Sequence, residues 1–182
     1  MQLLLLAELG QFSLILALLM AGILAFVPLI GSFTRQPILL AFAKPAAWAQ
    51  FVFLLISFIL LTLSFVLDDF SVLYVAENSN SKLPLVYKIS AVWGAHEGSL
   101  LLWLLILASW TFAVSLSKGL PNEMLSRVLV VLGWVSLGMS LFVALTSNPF
   151  ARLLPSIPPD GAALNPLLQD PGLVLHPPLL YL

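Results

Sequence analysis

The chain has no cysteine, and only 8% of its 182 residues are charged. The first absence excludes a disulfide framework. It is compatible with an oxidising compartment without demonstrating one. The second excludes a soluble domain, which covers its surface with about 25% charged residues. Lysine and arginine number seven against eight acidic residues, a net charge of −1, so no basic surface for nucleic acid is available. Histidine is scarce as well, with His96 and His176 alone. No internal repeat and no low-complexity segment stands out.

What the chain does have is apolar bulk: 61% hydrophobic residues and a mean hydropathy of +1.10. Crossing the hydrocarbon takes about 20 such residues in a helix. Four stretches qualify, at about 9–30, 46–67, 91–115 and 128–147. The expected fold class is therefore all-α, a polytopic transmembrane helical protein. It has four spans, the start of a fifth, and long extracytoplasmic loops. The first span does not read as a signal peptide. It lacks a positive n-region, carries Glu8 at its entrance, and meets no basic residue before Arg35. Pro28, near its exit, is expected to end or kink it.

Loop charges give an orientation. The first-to-second and third-to-fourth connections hold Arg35, Lys44, Lys118 and Arg127, opposed by Glu123 alone. The other side holds Glu8, Asp68, Asp69, Glu77, Glu97, Asp160 and Asp170, with Lys82, Lys88 and Arg152. Density of basic residues in short loops marks the cytoplasmic side. Both termini and both long loops are accordingly expected outside.

Polar chemistry meets the apolar bulk at Val92-Trp93-Gly94-Ala95-His96-Glu97-Gly98-Ser99-Leu100-Leu101-Leu102-Trp103. On a helix, Trp93, His96, Glu97, Leu100 and Trp103 would share one broad face. Ala91, Gly94, Ala95 and Gly98 would form a small-residue face with a literal G-x-x-x-G, suited to close helix docking in a bilayer. Two readings of His96-Glu97 stand side by side: a functional pair, or an interfacial pair at the start of a helix, where polar residues cost little.

The outer segments depart from plain spanning helix. Asn78-Ser79-Asn80-Ser81 is a turn cluster, and Pro84 suits the first turn of a helix running into the third span. After Asn148 come eight prolines, Pro149, Pro155, Pro158, Pro159, Pro166, Pro171, Pro177 and Pro178, which argue against long regular elements. Asn165-Pro166 could open one short helical turn, which Asp170-Pro171-Gly172 would stop. The segment is leucine-rich, so it should pack rather than float. His176 lies in Leu173-Val174-Leu175-His176-Pro177-Pro178-Leu179-Leu180, where a residue before proline is expected on extended backbone. A neutral imidazole in apolar company suits haem iron; the alternative is an interfacial histidine bonded to backbone. His176 with a remote His96 is not a metal-binding spacing.

Several long motifs in one order carry a resemblance. Trp93-Gly94-Ala95-His96-Glu97-Gly98-Ser99-Leu100-Leu101-Leu102-Trp103 comes with Thr146-Ser147-Asn148-Pro149-Phe150 and Leu164-Asn165-Pro166-Leu167-Leu168-Gln169-Asp170-Pro171-Gly172. His176-Pro177-Pro178-Leu179-Leu180-Tyr181 comes last, and Asp69-Phe70-Ser71-Val72-Leu73-Tyr74-Val75-Ala76 and Asn78-Ser79-Asn80-Ser81 come first. Together they resemble the N-terminal part of the CcmF family. That family comprises the cytochrome c-type biogenesis proteins that form the haem lyase subunit in bacteria and plant mitochondria. They are haem-handling proteins of the bacterial inner membrane or the mitochondrial inner membrane.

The resemblance implies handling of haem on the extracytoplasmic side, for covalent attachment to the Cys-X-X-Cys-His motif of apocytochrome c. It makes His176 an axial haem ligand, the first of two outer histidines in the family. Trp93, His96 and Glu97 match a family signature to which chemistry alone assigns no role. The implied cofactor is haem, with a ligand set incomplete in this chain. The implied partners are membrane lipid, the remaining family segments, haem-chaperone and thiol-handling maturation subunits, and apocytochrome c. The family's tryptophan-rich platform, its second outer histidine and its membrane-embedded histidine pair have no counterpart here. The sequence is therefore expected to be a truncated or split piece that does not catalyse alone. Residues 1–90 would form a two-span region with an outer loop, and 91–182 the beginning of the cytochrome c assembly domain. A structural membrane anchor is the rival reading; a transporter or channel subunit fits less well, since it needs ionisable groups at mid-membrane.

Overall fold

The computed structural model describes residues 2–162 and 164–182. Among the described residues, four helices are long and apolar enough to cross a membrane. They are α1 (Gln2–Thr34), α3 (Ala43–Val66), α6 (His96–Ser115) and α7 (Asn122–Thr146). The short helix α2 (Pro37–Ala41) links the first two. Two short helices, α4 (Leu73–Asn78) and α5 (Leu85–Ala91), lie between α3 and α6. After α7 come a 3-10 turn at Pro166–Gln169 and α8 (Pro171–Tyr181). Among the described residues no strand forms beyond one bridge, Val72 to Arg152.

The spans close a ring in which α1 touches α3 and α7, and α6 touches the same two. Apolar side chains gain nothing by leaving lipid, so close approach of small residues does the packing. Ala17, Ala21 and Ala25 on α1 have no exposed surface. Gly133 of α7 rests on α1 so closely that a Cβ there would lie 3.0 Å from the Ala25 nitrogen. Serines tie α1 to α3, with Ser13 Oγ donating to the Phe53 carbonyl at 2.8 Å and Ser57 Oγ to that of Gly10 at 3.1 Å. The spans follow the apolar stretches of the sequence with modest shifts at their ends.

Pro28 does not end α1, which continues to Thr34. The helix stops instead at Arg35, whose φ of 54° leaves the helical region, while the Gln36 amide returns to the Gly31 carbonyl at 3.1 Å. Asp68 ends α3 in the same way, with φ 56° and the Asp69 amide on the Ser64 carbonyl at 2.9 Å. Asp68 is held there by Lys88, whose Nζ donates to both carboxylate oxygens at 2.5 and 2.6 Å.

At that end of the bundle the connections knit into a cap. Leu73 N–H donates to the Ala151 carbonyl at 2.8 Å, and Leu153 N–H to that of Ser71 at 2.9 Å. Arg152 spans the seam. Its guanidinium pairs with Glu8 at 3.2 Å, lies 3.7 Å from buried Asp69, and donates to Ser71 Oγ, which in turn donates to Asp69.

A second clasp joins Ser81 to the later loop. The Asp160 carboxylate accepts from Ser81 N–H and Ser81 Oγ, both at 2.9 Å, and from Gly161 N–H at 2.8 Å. These bonds, led by the Ser81 amide, hold its pKa below the ordinary 3.8. A carboxyl depressed on folding stabilises fully above its unfolded value and loses that contribution as pH falls through the folded one. Amide exchange at Ser81 and Gly161, corrected for intrinsic pH dependence, should therefore quicken below about pH 4, the unfolded range of an aspartate. Asp160→Asn should remove that pH dependence.

Candidate functional site

The stretch from Val92 to Trp103 is not one helix. The helix opened after Pro84 ends at Ala91, and α6 begins only at His96. The turn between them is built around Tyr74. Its hydroxyl donates to the Val92 carbonyl at 3.1 Å and accepts from Ala95 N–H at 3.2 Å. Tyr74 itself is buried, edge-on to Phe65 at 5.3 Å. Burial drives the phenol pKa far above its usual 10, so it stays a donor throughout the ordinary pH range. Sequence periodicity could not reveal this break, because its cause comes from another element.

The small face therefore does a different job from the one its spacing suggests. A Cβ on Gly98 would overlap the Val92 carbonyl oxygen and lie 2.7 Å from the Tyr74 hydroxyl. Gly94 faces Leu168 Cδ1, 3.1 Å from where its Cβ would be. Both glycines let the turn fold back on its own helix and on the C-terminal segment. They do not form a seam between two membrane helices.

The C-terminal segment also corrects the expectation drawn from its prolines. Asp170-Pro171-Gly172 ends the 3-10 turn and at once starts α8. Asp170 accepts from Gly172 N–H at 2.8 Å and Leu173 N–H at 3.3 Å, with Pro171 in the first turn. Helix α8 then continues through Pro177 and Pro178, so His176 is helical rather than extended. Proline in a helix leaves the carbonyl four residues earlier without its partner. For Pro178 that carbonyl belongs to Val174, and Trp93 Nε1 donates to it at 2.9 Å. An indole thus replaces the missing backbone donor.

Two further contacts fasten α8 along α6. Tyr181 stacks on Trp103 with ring centres 5.6 Å apart and planes inclined by 14°. Its hydroxyl is 2.8 Å from Ser99 Oγ. Val174, Pro177, Pro178 and Tyr181 recur at helical spacing and are the partly buried residues of α8. His176 falls on the opposite, exposed face. Around it at i−3, i+3 and i+4 stand Leu173, Leu179 and Leu180, which are 43%, 67% and 68% exposed. An imidazole set in an accessible apolar patch is a donor set that fits one face of a haem.

The remaining residues singled out in the sequence divide. Trp93 joins the α8 attachment. His96 is exposed at the first position of α6, its ring edge-on to Phe142 of α7 at 6.4 Å. Phe142 belongs to α7 and not to α8, and among the described residues the structure records no contact between His96 and His176. Glu97 lies in the first turn of α6, where its charge complements the helix dipole. Among the described residues no group of three His, Cys, Asp or Glu could hold a metal ion. Tyr74, Lys88 and Arg152 organise this end of the bundle and were not singled out by sequence. Val174 and Pro178 did carry a readable signal, a helix-breaking residue four positions after a carbonyl.

Trp93→Phe isolates the indole bond, since it keeps an aromatic ring and removes the donor. An unpaired carbonyl costs about 1–3 kcal/mol. The amides of α8 should then exchange roughly ten-fold faster or more, with the four spans unchanged. Unaltered exchange in α8 would mean that the indole bond does not hold the helix.

Four apolar helices under a polar cap, with a histidine-bearing helix strapped to the third, define a polytopic membrane protein. The model of the family described as "Cytochrome C assembly protein" matches residues 93–182. "Cytochrome c-type biogenesis protein CcmF" of Pseudomonas fluorescens is 60% identical over 176 residues, 96% of this chain and 27% of that protein. Its namesake in Escherichia coli (strain K12) is 49% identical over the same shares. A solved structure, "Cytochrome c Heme Lyase CcmF", superposes with a TM-score of 0.84 at 28% identity, covering 97% of this chain and 27% of that one. The chain belongs to the CcmF family of cytochrome c-type biogenesis proteins. It spans about a quarter of the length of the curated relatives it matches.

Proposed function

We propose that this chain supplies the haem-facing entry of a cytochrome c maturation complex, with His176 as one axial ligand to haem. The observation that carries the reading is the setting of His176 on the accessible apolar face of α8, while the opposite face is fastened by Trp93, Ser99 and Trp103. Haem, when bound, supplies the iron centre and the vinyl groups that become attached to apocytochrome c. The chain's own residues present and orient. Leu173, Leu179 and Leu180 offer apolar surface beside the imidazole for the macrocycle to lie on. The strap through Trp93 fixes the height of His176 against α6. The second ligand and most of the macrocycle's contacts come from elsewhere, so this segment handles haem only as part of a larger protein. The assembly domain begins, in this reading, near residue 91, where α5 gives way to the Tyr74-centred turn.

The partners are the remaining family segments, the subunits that deliver haem and reduced thiols, and apocytochrome c. The membrane is the bacterial inner membrane, with both termini and the cap outside. The charge distribution supports this sidedness. Because the chain lacks cysteine, single cysteines give a clean test. Lys82→Cys should react with an impermeant maleimide in intact cells and Lys118→Cys only after lysis. The reverse pattern inverts the topology and removes the haem reading with it.

The functional test is a chimera. This chain replaces the matching quarter of the Pseudomonas fluorescens relative in cells lacking their own protein, and covalent haem in a reporter cytochrome c is scored. Restored maturation supports the reading. A chimera that inserts fully yet attaches no haem overturns it.

A further inference from the structure

Helix α5, which crosses nothing and which the haem reading does not use, has its polarity reversed. Leu85, Val86 and Ile89 are 57%, 72% and 38% exposed, and at helical spacing they share one face. Lys88, the only charged residue of the helix, is buried, as are Ser90 and Ala91. A helix lying in water would present its lysine and hide its aliphatic residues. Here the lysine turns inward to the Asp68 carboxylate, and the aliphatic face is left outside.

Two observations say what meets that face. The first is continuity. The exposed residues Val52, Ile56, Ile59, Leu63 and Leu67 recur at helical spacing along α3, the stripe by which a spanning helix meets lipid. That stripe ends at Leu67, next to the Asp68 that Lys88 grips, and α5 packs on α3. The second is height. Helix α6, with 20 residues, is about 30 Å long, the thickness of the hydrocarbon. His96 therefore stands at the membrane boundary, and α5 ends at Ala91, in the residues just before it. At one side α5 is tied to the end of one span, and at the other to the start of the next.

We propose that α5 lies in the lipid surface at the cap end of the bundle, with Leu85, Val86 and Ile89 sunk among the headgroups and the first acyl carbons. Lys88 fits this setting because its charge is already paired before the helix meets hydrocarbon, where an unpaired lysine would be costly. So placed, α5 sets the height of the Tyr74-centred turn on the bilayer, and with it the start of α6. The proposal stands on α5 and its neighbours alone and does not depend on haem at His176.

The test uses the full chain in phosphatidylcholine vesicles. The chain lacks cysteine, so Leu85→Cys, Val86→Cys and Ile89→Cys each carry one nitroxide label on an exposed position. Collision of the label with oxygen, which concentrates in lipid, and with a water-soluble nickel complex gives its depth. All three labels should favour oxygen and lie about 5–10 Å into the boundary between headgroups and acyl chains, as interfacial helices do. Lys82→Cys should favour nickel, and Ile59→Cys, on the lipid stripe of α3, should lie deeper than any of the three. Nickel collision at Val86→Cys equal to that at Lys82→Cys would put the face in water and overturn the proposal. Shielding of the three labels from both probes would mean that protein covers the face, and would overturn it as well.

Discussion

His176→Ala, made in the complete protein, should leave it in the membrane at normal abundance and reduce covalent haem in a reporter cytochrome c at least about 100-fold. The size rests on the proposed role: even partners that merely orient a metal ligand cost about 10–100-fold when removed. The clean loss rests on the structure. His176 is exposed and lies away from the Trp93, Ser99 and Trp103 contacts, so alanine there removes no packing. Alanine is also a better helix former than histidine, which favours α8. Added imidazole should restore part of the activity by occupying the vacated axial position. His96→Ala is the matched comparison; its ring meets Phe142 of α7, and its loss should be much milder. Normal maturation by His176→Ala would remove the ligand assignment. Loss of activity together with loss of protein from the membrane would assign the histidine to structure.

Gly98→Ala should be the most damaging small change to the fold. The added methyl would overlap the Val92 carbonyl oxygen, which is backbone and cannot swing aside. Relief requires moving the Tyr74-centred turn, and Trp93 lies within that turn. Overpacking of this kind costs about 1–3 kcal/mol and occasionally more, and the hydroxyl bonds of Tyr74 would be stretched as well. The expected result is a loss near the upper end of that range, with α8 released from α6. Exchange protection in α8 would report it. Gly138→Ala is the control, since nothing lies within 4 Å of its would-be Cβ. Equal stability of the two variants would show that the turn is not tightly held.

Gly94 and Gly98 also mark how far a sequence reading reaches. The spans were legible because a bilayer imposes a length and a composition on each of them, and both are local properties. The grouping of Arg35 with Lys118, and of Asp68 with Asp160, was legible for the same reason, since every crossing reverses the end of the bundle. The break before His96 was not. Its residues suit a helix, and only a hydroxyl contributed by α4 interrupts them. The extended backbone expected at His176 gives way to helix because the residue before a proline is disfavoured there without being forbidden, and Trp93, which steadies that helix at the Val174 carbonyl, is far away in sequence. A proline removes one donor, and the helix survives where a distant group supplies another. His176 was singled out through its apolar neighbours and its family context, while the exposed face of α8 on which it lies became visible only once the helix was docked.

The pairing of Arg152 with Glu8 has a consequence for how the protein is made. The partners are 144 positions apart. At about 5–20 residues per second of synthesis, roughly 7–30 s pass between the appearance of the glutamate and that of the arginine. During that interval the first helix is already at the membrane, while Glu8, Asp69 and Ser71 await the side chain that joins them. The cap is thus closed by a late arrival, and it can close only when the fourth helix returns the chain to the end of the bundle that holds Glu8. A chain whose fourth helix entered backwards would leave the arginine on the wrong side of the lipid and the seam open.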